Sequence, residues 1–236
     1  MRRIIAVGGG SLDLTQTINE EFLRLAGIPN PRLLFIPTAS DDSPEYILGF
    51  SAFFSAWGAS VDVLRLSAND DISKIDAADL IYVGGGNTKA MLARWRETGV
   101  EEKLREHVAA GKPVSGTSAG AICWFRVGNS DWPQYEKIPG VNTARLDCLG
   151  IVDMVACPHT RDEPFRLREF MAMMERETGA GIGLDDGVAI QIDGDVYRIL
   201  AVSPERCAFH VKYDGESLRV RRLFGHDDFR PLEDLG

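Results

Sequence analysis

The chain has 236 residues, of which 44% are hydrophobic and 26% charged, so it can bury a core, and extensive disorder is excluded. This length fits one domain, residues 1–236, rather than a multi-domain assembly. The 35 acidic and 26 basic residues give a net charge of −9, which argues against general binding of nucleic acid or of an anionic membrane.

The first half of the sequence alternates short apolar runs with segments of helical spacing. The predicted strands are Ile4–Val7, Leu33–Ile36, Val61–Leu64, Leu80–Val83 and Pro113–Ser115. The predicted helices are Thr15–Ala26, Pro44–Trp57, Lys89–Arg96, Val100–Ala110 and a short one at Ala121–Phe125. Strands that are apolar throughout and separated by helices indicate a parallel sheet covered on both faces. The predicted fold is therefore α/β, with a doubly wound, mostly parallel sheet in three layers.

The second half follows a different pattern. Residues 127–150 are polar and contain several glycines and prolines, which predicts a long surface loop. A predicted strand, Val152–Ala156, and a predicted helix, Phe165–Glu177, come next. Four apolar runs then follow, at Ala189–Ile192, Val196–Val202, Phe209–Tyr213 and Leu218–Leu223. Asp-Gly pairs separate two pairs of these runs, which is typical of β-hairpins. The C-terminal segment is therefore predicted to add antiparallel strands to the edge of the sheet.

The four cysteines, Cys123, Cys148, Cys157 and Cys207, form no C-x-x-C pair. They are interpreted as free thiols, several of them buried, rather than as metal ligands or a redox motif. The N-terminal apolar run is too short for a signal peptide, and no segment approaches the ~18 apolar residues of a membrane span. We therefore expect a cytoplasmic protein without metal or cofactor.

The strongest chemical motif is Gly116-Thr117-Ser118-Ala119-Gly120, which lies between a predicted strand and a predicted helix. This G-x-S-x-G pattern in a strand–turn–helix context is typical of a nucleophile elbow, which lifts the serine hydroxyl above the sheet. The N–H of Ala119 would then face an oxyanion beside Ser118. The structural alternative is a glycine-rich turn that binds a phosphate or nothing.

A serine nucleophile needs a base, and the chain has four histidines. His107 is predicted to lie on a helix surface, His210 within a C-terminal strand and His226 in a charged tail. His159 directly follows the predicted strand Val152–Ala156, where sites form in open α/β sheets. Elimination and position therefore favour His159 as the base.

Two aspartates are candidates for the acid that orients this histidine. Asp186 lies in Gly183-Leu184-Asp185-Asp186-Gly187, and Asp131 lies in Ser130-Asp131-Trp132-Pro133, closer in sequence to the elbow. Either could equally be an ordinary turn residue. The residues alone leave this choice open.

A second glycine loop, Gly84-Gly85-Gly86-Asn87-Thr88, follows the predicted strand Leu80–Val83. Its backbone N–H groups could approach a ligand and supply a second oxyanion donor. Neither this loop nor Gly8-Gly9-Gly10-Ser11 fits a dinucleotide fingerprint, and no P-loop lysine is present, so nucleotide binding is disfavoured.

Together, Gly84–Thr88, Gly116–Ala121, Pro158-His159 and Gly183–Gly187 resemble peptidase E, a family of aspartyl dipeptidase-like serine peptidases whose wider group includes cyanophycinase. The resemblance covers about residues 4 to 202. It implies a fold similar to class I glutamine amidotransferases, with serine in place of their cysteine.

Carried over residue by residue, the resemblance implies that Ser118 is the nucleophile, that His159 is the base and that Asp186 is the third triad member. Asp131 matches a second aspartate segment linked to activity in the family. Gly86 and Ala119 would form the oxyanion hole. Gly85 and Asn87 would line the substrate site.

Strict peptidase E cleaves dipeptides that begin with aspartate, and an arginine must meet that carboxylate. Arg166 is the first candidate and Arg161 the second, although the arginines could instead be a solvated helix start. The expected function is hydrolysis of short peptides, with Asp-X dipeptides as one specificity. The alternatives are a cyanophycinase-like or broader exopeptidase or carboxypeptidase, and a non-catalytic domain that binds a small anion. The assembly is expected to be a monomer or a homodimer.

Overall fold

Two β-sheets and eight α-helices build the fold in the residues that the structure, a computed structural model, describes, namely 1–163 and 165–236. The helices are α1 (Gln16–Arg24), α2 (Pro44–Ala56), α3 (Lys74–Ala77), α4 (Thr88–Thr98), α5 (Val100–Ala109), α6 (Ala119–Ile122), α7 (Trp132–Tyr135) and α8 (Arg166–Met174). Short 3-10 helices cover Thr38–Ser40 and Leu232–Leu235.

The strands are β1 (Arg3–Val7), β2 (Arg32–Ile36), β3 (Ser60–Val63), β4 (Leu80–Val83), β5 (Val114–Thr117), β6 (Phe125–Ser130), β7 (Ala144–Asp147), β8 (Val152–Cys157), β9 (Ala180–Leu184), β10 (Val188–Asp193), β11 (Val196–Ala201), β12 (Cys207–Tyr213), β13 (Leu218–Phe224) and β14 (Arg230–Pro231). Every strand predicted from an apolar run is therefore present. Their ends lie within two residues of the predicted positions.

The first sheet has the strand order β14-β11-β10-β1-β5-β4-β2-β3. Strands β1 to β5 run parallel, and the hairpin of β10 and β11 adds to β1 in antiparallel orientation. Ile4 and Ala6 pack into one core and Ile5 and Val7 into another. Since both faces of β1 are buried, its sequence is apolar without alternation. The predicted α/β class is confirmed.

Helices cover both faces of this sheet, as predicted. On one face Phe50 and Phe54 of α2 pack against Tyr82 of β4. On the other face Trp95 of α4 and Leu104 of α5 are fully buried in the core that contains Ile4 and Ala6. Helix α2 begins at Pro44, and the preceding Ser43 caps it by accepting a hydrogen bond from the Tyr46 N–H.

The second sheet was not expected and has the order β13-β12-β9-β8-β6-β7. The predicted edge position of the second hairpin, β12 and β13, is wrong, because this hairpin pairs with β9. The second sheet contributes Ala156, Ile182 and Ala208 to the core that contains Ile4 and Ala6 of the first sheet. The two sheets therefore pack on a shared core.

The prediction of a surface loop over residues 127–150 is wrong. Strand β6 is almost fully buried, and α7 and β7 follow it. Polar residues concealed the strand: Asn129 is buried, and its amide donates to Thr143 Oγ1 at 3.2 Å. The predicted helix Ala121–Phe125 is also wrong at its end, because α6 stops at Ile122 and Phe125 already begins β6.

The thiols of the described chain are free, and Cys123, Cys157 and Cys207 are buried, as predicted. Burial raises the pKa of the Cys148 thiol to about 12, so that it stays protonated at neutral pH. No helix in residues 1–163 and 165–236 combines the length and apolarity that a membrane crossing needs.

His107 is buried rather than exposed, against the prediction. It occupies the inner face of α5 together with Val100, Leu104 and Val108. The spacing of these residues is helical, so the sequence alone could have indicated that His107 lies on the buried face of the helix. Burial, reinforced by the nearby Lys112 charge, lowers the pKa of His107 to about 4.

This burial predicts a loss of stability in mild acid. The unfolded chain binds a proton at His107 near pH 6.5, whereas the folded chain binds it only near pH 4. Stability is therefore complete above about pH 6.5 and falls as the pH drops toward 4. We expect His107 to contribute about 2 kcal/mol to the loss between pH 7 and pH 4.5, at 1.4 kcal/mol per pKa unit. Urea unfolding at pH 7 and 4.5 measures it.

The matched variants are His107→Gln and His226→Gln, since His226 is only partly buried. His107→Gln should lose less stability between the two pH values than the wild type, and His226→Gln should follow the wild type. Equal losses in all three proteins would contradict the assignment.

Candidate active site

Ser118 lies at the sharp turn between β5 and α6. Its backbone has φ 55° and ψ −112°, a strained conformation for a residue with a side chain. The Ser118 N–H donates to the Val7 carbonyl at 3.0 Å, which fixes the turn against β1. A Cβ on Gly116 or Gly120 would overlap backbone atoms, including the Val83 carbonyl. Both flanking glycines of the G-x-S-x-G pattern are therefore required by close backbone approach.

His159 follows β8, at the carboxyl end of a parallel strand in the second sheet. Its Nε2 lies 2.9 Å from Ser118 Oγ, and its Nδ1 lies 2.6 Å from Asp186 Oδ1. The His159 N–H donates to the Gly8 carbonyl at 3.3 Å. The first sheet thus supplies the serine, and the second sheet supplies the histidine and the aspartate.

Asp186 follows β9 and differs from its neighbour Asp185. The Asp185 carboxylate is buried and accepts from Thr160 Oγ1 at 2.8 Å and from the Cys207 N–H at 3.1 Å. It therefore stabilises the loop, while Asp186 faces His159. Burial alone would raise the pKa of Asp186, but the hydrogen bond and charge of His159, together with Arg206, hold that pKa below its usual value. Asp186 is therefore ionised at neutral pH.

Gly9 is a residue of the site that the sequence analysis missed. A Cβ at Gly9 would overlap Asp186 Oδ1 and the imidazole of His159. The Gly9 carbonyl also accepts from the Gly187 N–H at 2.9 Å, directly after Asp186. The absence of a side chain at Gly9 leaves the space that the His159–Asp186 pair occupies. A glycine run at the carboxyl end of β1 was the available signal.

The loop Gly84–Asn87 approaches Ser118 from β4. A Cβ on Gly85 would lie 3.3 Å from Ser118 Cβ. Gly86 has φ +134°, and a Cβ there would overlap the Ala39 carbonyl. In the described residues, the N–H groups of Gly86 and Ala119 have no acceptor. Asn87 Oδ1 caps α4 by accepting from the Ala90 N–H at 3.1 Å.

The two predicted arginines, Arg166 and Arg161, both contact other protein groups. Arg166 is only 1% exposed, and its guanidinium contacts Glu163 and, at 3.6 Å, Asp131. Arg161 is exposed and donates to the Glu205 carbonyl at 3.1 Å. Asp131 is thus paired with Arg166, and the carboxylate that meets His159 is that of Asp186.

A cleft of about 660 Å³ opens beside Gly86 and Asn87. Its wall carries Tyr135 from α7 and the carboxyl-bearing residues Asp41 and Asp42. Within the described ranges no group of three or more His, Cys, Asp or Glu side chains is arranged to hold a metal ion.

Comparison with known proteins places the chain in a family. Residues 4–200 match the model of peptidase family S51. The chain belongs to peptidase family S51. An uncharacterized peptidase, YgaJ, of Bacillus subtilis is 34% identical over 83% of this chain and 85% of its own length. The peptidase E of Streptomyces coelicolor is 30% identical over 70% of this chain and 69% of its own.

A solved structure of a peptidase from an acI-B1 Actinobacterium has a similar fold, with a TM-score of 0.73 and 16% identity over 98% of this chain and 97% of that one. The family match identifies this S51 chain as a serine-type peptidase. The order of the contacting residues along the chain is serine, histidine, aspartate, which differs from the serine, aspartate, histidine order of α/β-hydrolases.

The position of Gly9 gives a test of the site geometry. Gly9→Ala should displace the His159–Asp186 pair, because its methyl group has no space, and should lower kcat at least 100-fold with little change in KM. The control is Gly49→Ala, since a Cβ at Gly49 meets nothing within 4 Å. Steady-state kinetics on a dipeptide, with circular dichroism for folding, measures both. A folded Gly9→Ala protein with wild-type kcat would contradict this geometry.

Proposed function

We propose that this S51 chain hydrolyses short peptides through an acyl-enzyme on Ser118. The observation that carries the proposal is the unbroken line of contacts from Ser118 Oγ to His159 Nε2 and from His159 Nδ1 to Asp186 Oδ1, at 2.9 and 2.6 Å. Such a line joins a nucleophile to a base and the base to an orienting carboxylate, as acyl transfer requires.

In the first half of the reaction, Ser118 Oγ attacks the peptide carbonyl carbon and its proton passes to His159 Nε2. The carbonyl oxygen becomes an oxyanion, which the N–H groups of Gly86 and Ala119 would stabilise. His159 then gives the proton to the leaving amine as the C–N bond breaks. An ester between Ser118 and the acyl part of the peptide remains.

In the second half, water attacks the ester and gives a proton to His159 Nε2. The tetrahedral intermediate collapses, the carboxylic acid leaves and the proton returns to Ser118 Oγ. Asp186 accepts a hydrogen bond from Nδ1–H throughout, which fixes the tautomer and stabilises the imidazolium. Its lowered pKa supports this role, because the carboxylate must stay ionised while His159 carries the extra proton.

The substrate specificity has two candidate forms. Similarity to a peptidase E favours Asp-X dipeptides, with Arg166 or Arg161 as the partner of the aspartate. The burial of Arg166 against Glu163 and Asp131 favours a broader exopeptidase specificity, because a buried guanidinium that already faces two carboxylates is poorly placed to meet a third. We propose the broader specificity.

We propose that the protein acts in the cytoplasm, because the described cysteines are free thiols. We propose a monomer or a homodimer as its assembly. A non-catalytic domain that binds a small anion at the elbow is the alternative of another class. It would bind peptides or anions without turnover, so hydrolysis of any dipeptide separates the two.

The roles of the two aspartates give the next test. With the best-cleaved dipeptide, Ser118→Ala should lose turnover to background, and Asp186→Asn should lose about 10⁴-fold in kcat, because the amide favours the wrong imidazole tautomer. Asp131→Asn serves as the control and should lose less than about tenfold. Undiminished turnover by Ser118→Ala would contradict the proposal. A larger loss of kcat in Asp131→Asn than in Asp186→Asn would show that Asp131 is the carboxylate that supports the base.

A further inference from the structure

Arg166, Glu163 and Asp131 form an ionic group, here named the Arg166 cluster. Arg166 Nη2 and Nε lie 2.7 and 2.8 Å from the same oxygen, Glu163 Oε2. Arg166 Nη2 lies 3.6 Å from Asp131 Oδ2. The other carboxylate oxygen, Glu163 Oε1, is left for a further donor.

The cluster presents its negative charge outward. Arg166 is 1% exposed, whereas the side chains of Asp131 and Glu163 are 26% and 33% exposed. Two carboxylates against one guanidinium leave a formal charge of −1. A substrate group that approaches the cluster therefore meets carboxylate oxygen first, with a net attraction for cations.

The cluster lies beside the proposed reaction centre. The Glu163 N–H donates to the His159 carbonyl at 3.3 Å, which places Glu163 one turn after the base. Tyr135 of α7 lines the cleft at Asn87. Burial raises the pKa of Tyr135, Asp131 and Glu163 raise it further, and Arg166 opposes them. Glu163 therefore lies one turn from the residue that contacts Ser118.

The rest of the cleft lining has similar polarity. It carries Asp41 and Asp42, and its one arginine, Arg94, already donates to the Leu66 carbonyl at 3.1 Å and contacts Glu97 at 3.4 Å. The second oxygen of Asp42, Oδ1, is buried without a hydrogen-bond partner in the described residues. This part of the lining therefore offers no free cationic side chain to an acidic substrate.

We propose that Glu163 is a specificity-determining residue that binds a positively charged side chain of the peptide substrate. This inference rests on the proposed function and names its substrate class. An aspartate side chain would meet the negative edge of the cluster. The remaining guanidinium nitrogen, Arg166 Nη1, is buried and has no hydrogen-bond partner in the described residues, so a substrate carboxylate could contact it only if the surrounding chain moved.

The test is a panel of five dipeptides: Lys-Ala, Ala-Lys, Ala-Ala, Asp-Ala and Ala-Asp. We expect the wild type to cleave at least one lysine dipeptide with a kcat/KM about tenfold above that of Ala-Ala, as one charge-assisted contact would give. Both aspartate dipeptides should fall below Ala-Ala. Glu163→Gln should bring the lysine dipeptides to the level that the same variant shows on Ala-Ala.

The matched control is Glu175→Gln, because Glu175 is exposed at the end of α8. It should leave the whole panel unchanged. A second readout needs no variant: kcat/KM for the lysine dipeptide should fall as salt rises from 0.05 to about 0.5 M, while that for Ala-Ala stays level.

Preference for Asp-Ala in the wild type, or an equal loss on every peptide in Glu163→Gln without salt dependence in the wild type, would overturn this inference. Turnover without a lysine preference would overturn it while leaving the proposed function in place. Absence of turnover on all five peptides, with the protein folded, would overturn both.

Discussion

The close approach of β1 to the second sheet is the constraint on which the site depends. Two backbone hydrogen bonds make this junction: His159 N–H to the Gly8 carbonyl and Gly187 N–H to the Gly9 carbonyl. Glycine at positions 8 and 9 allows it, because a Cβ at either would overlap atoms of the neighbouring loops. The serine comes from one sheet and its partners from the other, so this junction sets the distance between them.

The electrostatics of the site follow from the same packing. The loop that carries Asp186 is braced by Arg206, which donates to the Asp186 carbonyl and to Asp162 Oδ2. The neighbouring Asp185 is satisfied by Thr160 and Cys207 and does not compete for His159. Two adjacent aspartates thus have separate functions, one holding the loop and the other facing the imidazole. The chain as a whole has a net charge of −9. The outward carboxylates of Glu163 and Asp131 make the surface near the site negative as well.

Much of the fold was predictable because buried parallel strands need continuous apolar runs, as β1, β2 and β4 have. Ser118 and His159 were predicted as nucleophile and base from their positions at strand ends, and that assignment remains a proposal. The residues alone left Asp186 and Asp131 open, and the family resemblance favoured Asp186. The distance of 2.6 Å between Asp186 and His159 agrees with that choice.

The features that the sequence analysis predicted wrongly or missed have physical causes. Strand β6 is buried with polar side chains that find partners inside the protein, so a polarity pattern could not reveal it. Strand β9 contains two glycines, Gly181 and Gly183, because Phe170 of α8 packs against them, and a short glycine-rich run resembles a turn. The role of Gly9 and the burial of Arg166 both depend on contacts between segments that are distant in the sequence. The spacing of neighbouring residues cannot predict such contacts.

The most direct test of the central claim is labelling by a serine-directed phosphonate, followed by peptide mapping. The account predicts one covalent adduct per chain, located on Ser118, because His159 and Asp186 activate that hydroxyl. Labelling should be strongly slowed in Asp186→Asn and close to wild type in Asp131→Asn. An inert Ser118, or an adduct on another residue, would contradict the account.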